Sequence, residues 1–82
     1  MTGNFWQLQP GIAATVQSFD ESMQQTQRQR LTELGFGLGA VVRCVVSPRF
    51  GAPRLYRGDG AVFSMEKSIA QQVLVSTDEG DL

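Results

Sequence analysis

Only one segment of this sequence reads as a helix, and it is too short to organise a domain around. Residues 23–34 contain almost nothing but good helix formers, with Met23, Leu31 and Leu34 able to share one face. Ser22 and Gln25 stand ahead of it at capping-box spacing. Gly35 follows, a residue able to end a helix in the left-handed region. Elsewhere the period is that of strands. Residues 12–19 alternate, with Ala14 and Val16 on one side and Thr15 and Gln17 on the other. Residues 41–47 set Val42, Cys44 and Val46 on one face. Residues 55–57 and 61–65 make a hairpin through Gly58-Asp59-Gly60, residues 66–70 a single helical turn, and residues 72–75 a closing strand. Pro10-Gly11 marks a turn, residues 1–4 read as a loose start, and residues 76–82 read as a frayed acidic tail. About five short strands with one short helix predict a mainly β, partly open small barrel, which limits exposed edges by curling the sheet on itself. The expectation is one domain over residues 1–82, ordered at about 8–75. Its core should hold Val16, Leu31, Leu34, Val42, Cys44, Val46, Phe63, Met65, Val73 and Val75.

Composition excludes several function classes. The 82-residue chain has no histidine, so the usual general base near neutral pH is missing, together with the commonest transition-metal ligand. Its carboxylates fall at surface-type positions: Asp20 and Glu21 before the helix, Glu33 at its end, and Asp78, Glu79 and Asp81 in the tail. Cys44 is the only cysteine, which excludes an internal disulfide and reads as a small buried hydrophobe among valines. No catalytic residues, no resident cofactor and no complete metal-ligand set are expected. A net charge of −1 provides no global field for nucleic acid or anionic membrane. No basic-then-apolar leader and no apolar run near the roughly 20 residues of a bilayer span is present, which points to a soluble, cytoplasmic protein. The starting methionine and acidic end read as a whole protein.

Three motifs invite functional readings that the order of elements disfavours. Gly35, Gly37 and Gly39 look like a phosphate cradle, yet the helix precedes the run and points its C-terminus at it. Arg43, Arg49, Arg54 and Arg57, with Phe50 and Tyr56 among them, resemble a single-strand nucleic-acid surface, but on a chain without net positive charge. Arg57-Gly58-Asp59 spells an adhesion tripeptide and is read as a hairpin turn.

The stretch Arg30-Leu31-Thr32-Glu33-Leu34-Gly35-Phe36-Gly37-Leu38-Gly39 resembles the signature of ferrous iron transport protein A (FeoA) proteins. That signature is an arginine-leucine helix end, Leu-Gly, a hydrophobic residue, and a second glycine opening a strand. The likeness continues in register through Pro10-Gly11, Val42 and Cys44, the loop with Pro48, Gly51 and Pro53, Tyr56, Phe63 and Met65, Ala70, and Val73 and Val75. It spans residues 8–75. Three positions depart from it: Leu38 stands where proline is frequent, the 48–53 loop is one residue longer than the commonest form, and Glu66 replaces a usual basic residue.

The resemblance implies an SH3-like barrel that is not an enzyme. The implied role is that of a cytoplasmic accessory of the FeoB-type ferrous iron permease, recruited to the inner face of the membrane and binding its cytoplasmic GTP-binding domain or adjacent regions. A weak homo-oligomer, or a metal held between subunits by tail carboxylates, is compatible with it. Alternatives are the SH3-like module of an iron-dependent transcriptional regulator and a single-strand nucleic-acid-binding barrel. A small barrel recognises partners through loops and edges, because side chains fill its interior. Arg49 and Phe50 at the tip of the proline-restricted 48–53 loop are the first choice for a partner surface, extended by Arg54 and Tyr56. Phe36 and Leu38 in the helix-to-strand loop are the second.

Overall fold

The computed structural model describes residues 2–46, 52–58 and 60–77. Six strands form one antiparallel sheet: β1 (Thr2–Asn4), β2 (Ala13–Phe19), β3 (Val41–Val46), β4 (Arg54–Arg57), β5 (Val62–Met65) and β6 (Val73–Ser76), in the order β1-β6-β2-β3-β4-β5. Helix α1 (Gln25–Leu31) lies between β2 and β3, and the single turn α2 (Lys67–Ala70) lies between β5 and β6. The mainly β architecture with one principal helix is the one expected.

The strand count is six rather than five because the chain's start is not loose. Residues Thr2, Gly3 and Asn4 pair with Ser76, Val75 and Leu74. A 3-10 turn, Phe5–Gln7, follows and is capped reciprocally, the Gln7 amide donating to Asn4 Oδ1 at 3.1 Å and the Asn4 amide to Gln7 Oε1 at 2.9 Å. This turn carries Phe5 and Leu8 into the core, both fully buried. At the other end Ser76 belongs to β6 and Thr77 is buried, its hydroxyl donating to the Ala13 carbonyl at 3.1 Å. Residues 76 and 77 are thus part of the barrel, and the rest of the expected tail, residues 78–82, lies outside the described residues.

Helix α1 is shorter than residues 23–34, and its start is not a Ser22–Gln25 capping box. Gln24 is the N-cap, without a side-chain cap bond. Ser22 is instead bound by Asp20, whose carboxylate accepts both its amide and its hydroxyl. These bonds hold the Asp20 carboxyl below its ordinary range. Arg28 fastens the same loop from the helix, Nε donating to the Met23 carbonyl at 3.1 Å and an Nη to the Asp20 carbonyl at 3.0 Å. The helix then widens into a last turn, Thr32–Phe36, which Gly35 ends at φ +95°. The helix-stop role expected of Gly35 is what its backbone performs.

Strand alternation explains most of the core and one clear miss. Val16, Leu31, Val42, Cys44, Met65, Val73 and Val75 are buried as expected, while Leu34 and Phe63 are half-buried and packed against them. Val46 is 43% exposed, against expectation. The register gives the cause: Cys44 faces Tyr56 but Val46 faces Leu55, so Val45 is an extra residue in β3. This bulge throws Val46 out of phase with Val42 and Cys44. A second bulge in β2, between Val16 and Ser18, returns Phe19 to the Val73 side of the sheet.

The two ends of the sheet meet without a ladder. Tyr56 on β4 is fully buried, with its ring centroid 3.9 Å from that of Phe5 and its hydroxyl donating to the Phe5 carbonyl at 3.1 Å. Beside it Arg54 donates to the Trp6 carbonyl, and its guanidinium lies 4.0 Å from the Trp6 ring centroid. Burial, first of all, pushes the Tyr56 phenol up from 10.0 to about 12. Ionisation is thus disfavoured in the folded chain alone. Stability is at its full value below pH 10.0 and is lost as the pH climbs to about 12, because the unfolded chain releases the proton first. Tyr56 is the only tyrosine, so phenolate absorbance reads this group directly. The expected titration shows no phenolate near pH 10 and a rise close to pH 12 that coincides with unfolding by circular dichroism.

Candidate partner-binding site

The wide turn that ends α1 does not lie free. Its backbone at Gly35 packs against Gly58, at the β4–β5 turn, so closely that a Cβ on Gly58 would fall 2.6 Å from the Gly35 carbonyl oxygen. Phe36, next in the chain, is fully buried with its ring 6.0 Å from Phe5 and 6.2 Å from Phe63. From this anchor residues 37–40 arch outwards and return to the barrel at β2, the Gly39 amide donating to the Val16 carbonyl and the Val16 amide to the Ala40 carbonyl, both at 2.9 Å. The arch and the β4–β5 turn flank an open, shallow cleft of about 670 Å³. Gly35, Gly37 and Gly39 line it on one side and Gly58 and Gly60 on the other, with Leu38 and Val41 at its rim.

Leu38 and Val41 are each 66% exposed, the highest values among the exposed large hydrophobic residues described. No titratable side chain lines the cleft among the described residues. A site walled by glycine backbone and rimmed by aliphatic side chains presents amide and carbonyl groups beside apolar surface. It can recognise a partner by shape and hydrogen bonds. Among the described residues no cluster of three or more potential ligands could hold a metal ion.

The expected partner residues are scattered. Leu38 sits on the rim, as a surface residue should. Phe36 does not, because the turn at Gly35 drives its ring into the core. Tyr56 is likewise a core residue, since alternation along β4 sends it inward opposite Cys44. Arg54 is half-buried and engaged with Trp6. Arg49 and Phe50 lie outside the described residues. Sequence reasoning named Gly58 only as a hairpin glycine and missed its contact with Gly35; nothing local signals an approach between residues so far apart in the chain. Cys44 is fully buried, and that burial pushes its thiol up, as suits a packing residue.

The sequence matches the FeoA domain family over residues 6–77. The chain belongs to the FeoA family. Among solved structures it is similar to Stenotrophomonas maltophilia FeoA in complex with zinc, at 32% identity and TM-score 0.75 over 93% of this chain and 89% of that one. That protein is described as a prokaryotic SH3-domain protein and a proposed activating factor of ferrous iron transport. Chlorobium tepidum FeoA aligns at 25% identity and TM-score 0.82, over 96% of this chain and 73% of that one. A manganese-dependent transcriptional repressor shares the fold at 17% identity and TM-score 0.80, with 93% of this chain covering 41% of the repressor. No curated protein matches the sequence. Family and neighbours support a role in ferrous iron transport for this SH3-like FeoA chain. None of its described helices is long and apolar enough to cross a membrane.

Two outcomes are expected. Gly58→Ala should lower unfolding stability by about 1–3 kcal/mol in urea titrations, because the added methyl meets backbone that cannot swing aside. Anaerobic calorimetry of this FeoA monomer with ferrous iron should show no site tighter than the micromolar range; hard oxygen ligands are not gathered among the described residues.

Proposed function

We propose that this FeoA chain is a cytoplasmic accessory of ferrous iron uptake that docks on the cytoplasmic part of a FeoB-type permease through the Leu38–Val41 rim and the glycine-lined cleft behind it. The observation that carries the reading is Leu38, a large aliphatic side chain held 66% exposed at the tip of an arch fixed at both ends. Side chains on a preorganised loop lose little entropy on binding, and an exposed aliphatic one has apolar surface to bury against a partner. The cleft offers backbone hydrogen-bonding groups to the same partner. The family supports a place in ferrous iron transport, and the exposed aliphatic side chains beside the cleft suit a binding role there.

The experiment measures association of the intact chain with the isolated cytoplasmic portion of the permease by biolayer interferometry. Leu38→Glu should weaken binding about tenfold or more, while leaving the melting temperature nearly unchanged, since an exposed side chain contributes little to folding. The paired change Arg49→Glu with Phe50→Ala examines the 48–53 loop in parallel. Retained binding by Leu38→Glu, with loss in the loop pair, would move the docking surface to that loop.

A further inference from the structure

The outer face of β3, β4 and β5 sets two like charges opposite one another. Residues directly opposite across a ladder share a face of the sheet. The register sets Arg43 opposite Arg57, and Arg57 opposite Val62. Like charges directly opposite one another destabilise a sheet. Both arginines are exposed, and neither forms an ion pair among the described residues. Arg43 donates to the Gly11 carbonyl; Arg57 has no side-chain hydrogen bond among the described residues. Among the described residues no carboxylate stands opposite the pair: the outward partners are Ala13, Thr15 and Val41 on one side and Val62 and Ser64 on the other.

The same three strands carry exposed aliphatic side chains. Val41 is 66% exposed, Val62 50%, Val46 43%, Val45 40% and Leu55 36%. Apart from Leu38, these are all the exposed large hydrophobic residues described, and the Val45 bulge is what brings two valines to the surface side by side. A locally basic, aliphatic face on a chain of net charge −1 is complementary to a segment that is acidic and aliphatic. Nucleic acid fits less well, because among the described residues the face shows no exposed aromatic ring on which a base could stack.

We infer that this face docks an acidic, aliphatic segment of a protein partner, whose carboxylates pair with Arg43 and Arg57 while its apolar side chains cover Val41, Val45 and Val62. A carboxylate bound at this face offsets two like charges that the register sets opposite one another, which favours the bound state. The face adjoins the cleft at Val41 but stands independently of which protein fills the cleft, and its test uses no permease.

The test is a nuclear magnetic resonance titration of the isotope-labelled full chain. The probes are a blocked peptide alternating glutamate with valine and leucine, its glutamine counterpart, an oligothymidine, and phosphatidylglycerol vesicles. Amide shifts from the glutamate peptide are expected on β3, β4 and β5. Affinity should fall about tenfold for the glutamine peptide, for Arg57→Glu, and for Arg43→Glu with Arg57→Glu. The pair Arg30→Glu with Lys67→Glu makes the same change in net charge elsewhere and should leave affinity within about twofold. Arg57→Glu removes no side-chain bond among the described residues and decides the matter alone if the Arg43 variant fails to fold. Shifts elsewhere or none, equal binding of the glutamine peptide, an equal loss in the control pair, or tighter binding of oligothymidine or vesicles would each overturn the inference.

Discussion

Everything in this barrel depends on how its sheet is closed. The ladder runs from β1 to β5 and leaves both edge strands without a partner on one side. Closure comes from two carbonyls of the turn after β1, those of Phe5 and Trp6, which accept from Tyr56 and Arg54 on β4. Rings fill the space between: Phe5 against Tyr56, Phe36 beside Phe5, and the Arg54 guanidinium over Trp6. Main-chain acceptors that a sheet edge would leave to water are thus satisfied by side chains. A small chain thereby seals its core without the extra strand that full ladder closure would need.

That closure also determines what is left for binding. With the aromatic side chains of β4 and the helix-to-strand loop turned inward, the outside is built of glycine backbone, aliphatic side chains and arginine. The arch at residues 37–40 is held at Gly35 by Gly58 and at its return by β2. Leu38 is therefore presented by a fixed frame. The sheet face beyond Val41 continues the exposed surface with a different chemistry, one in which charge decides.

The sequence was legible where a signal is local and periodic. Gly35 as a helix stop, Val42 and Cys44 as inward residues, and the hairpin at Gly58 follow from backbone preference and period-two alternation. Reading failed where one extra residue shifts the phase: nothing in Val-Val around positions 45 and 46 marks which valine is the bulge. Tyr56 and Phe36 read as surface residues because an aromatic near a loop looks the same in sequence whether it anchors a partner or the core. Their burial is set by contacts with Phe5, at the far end of the chain. The first strand had a visible sign, the Asn4–Gln7 capping pair, in a segment that was read as a loose start. The FeoA signature was recognisable because most of its residues serve the fold; for the same reason it said little about the working surface.

Strand β1 pairs with β6, Thr2 opposite Ser76. A ribosome delivers the first of these strands long before the last. Until β6 emerges, β1 and the Phe5 turn have no ladder, and the aromatic pocket that receives Phe5 is incomplete. Sealing therefore waits for nearly the whole chain, as slow closure of sequence-distant contacts requires. Until β6 is made, the apolar side chains of Phe5, Trp6 and Leu8 lack the sheet they pack on, the condition under which chaperone capture or mispairing with a neighbouring chain competes with folding.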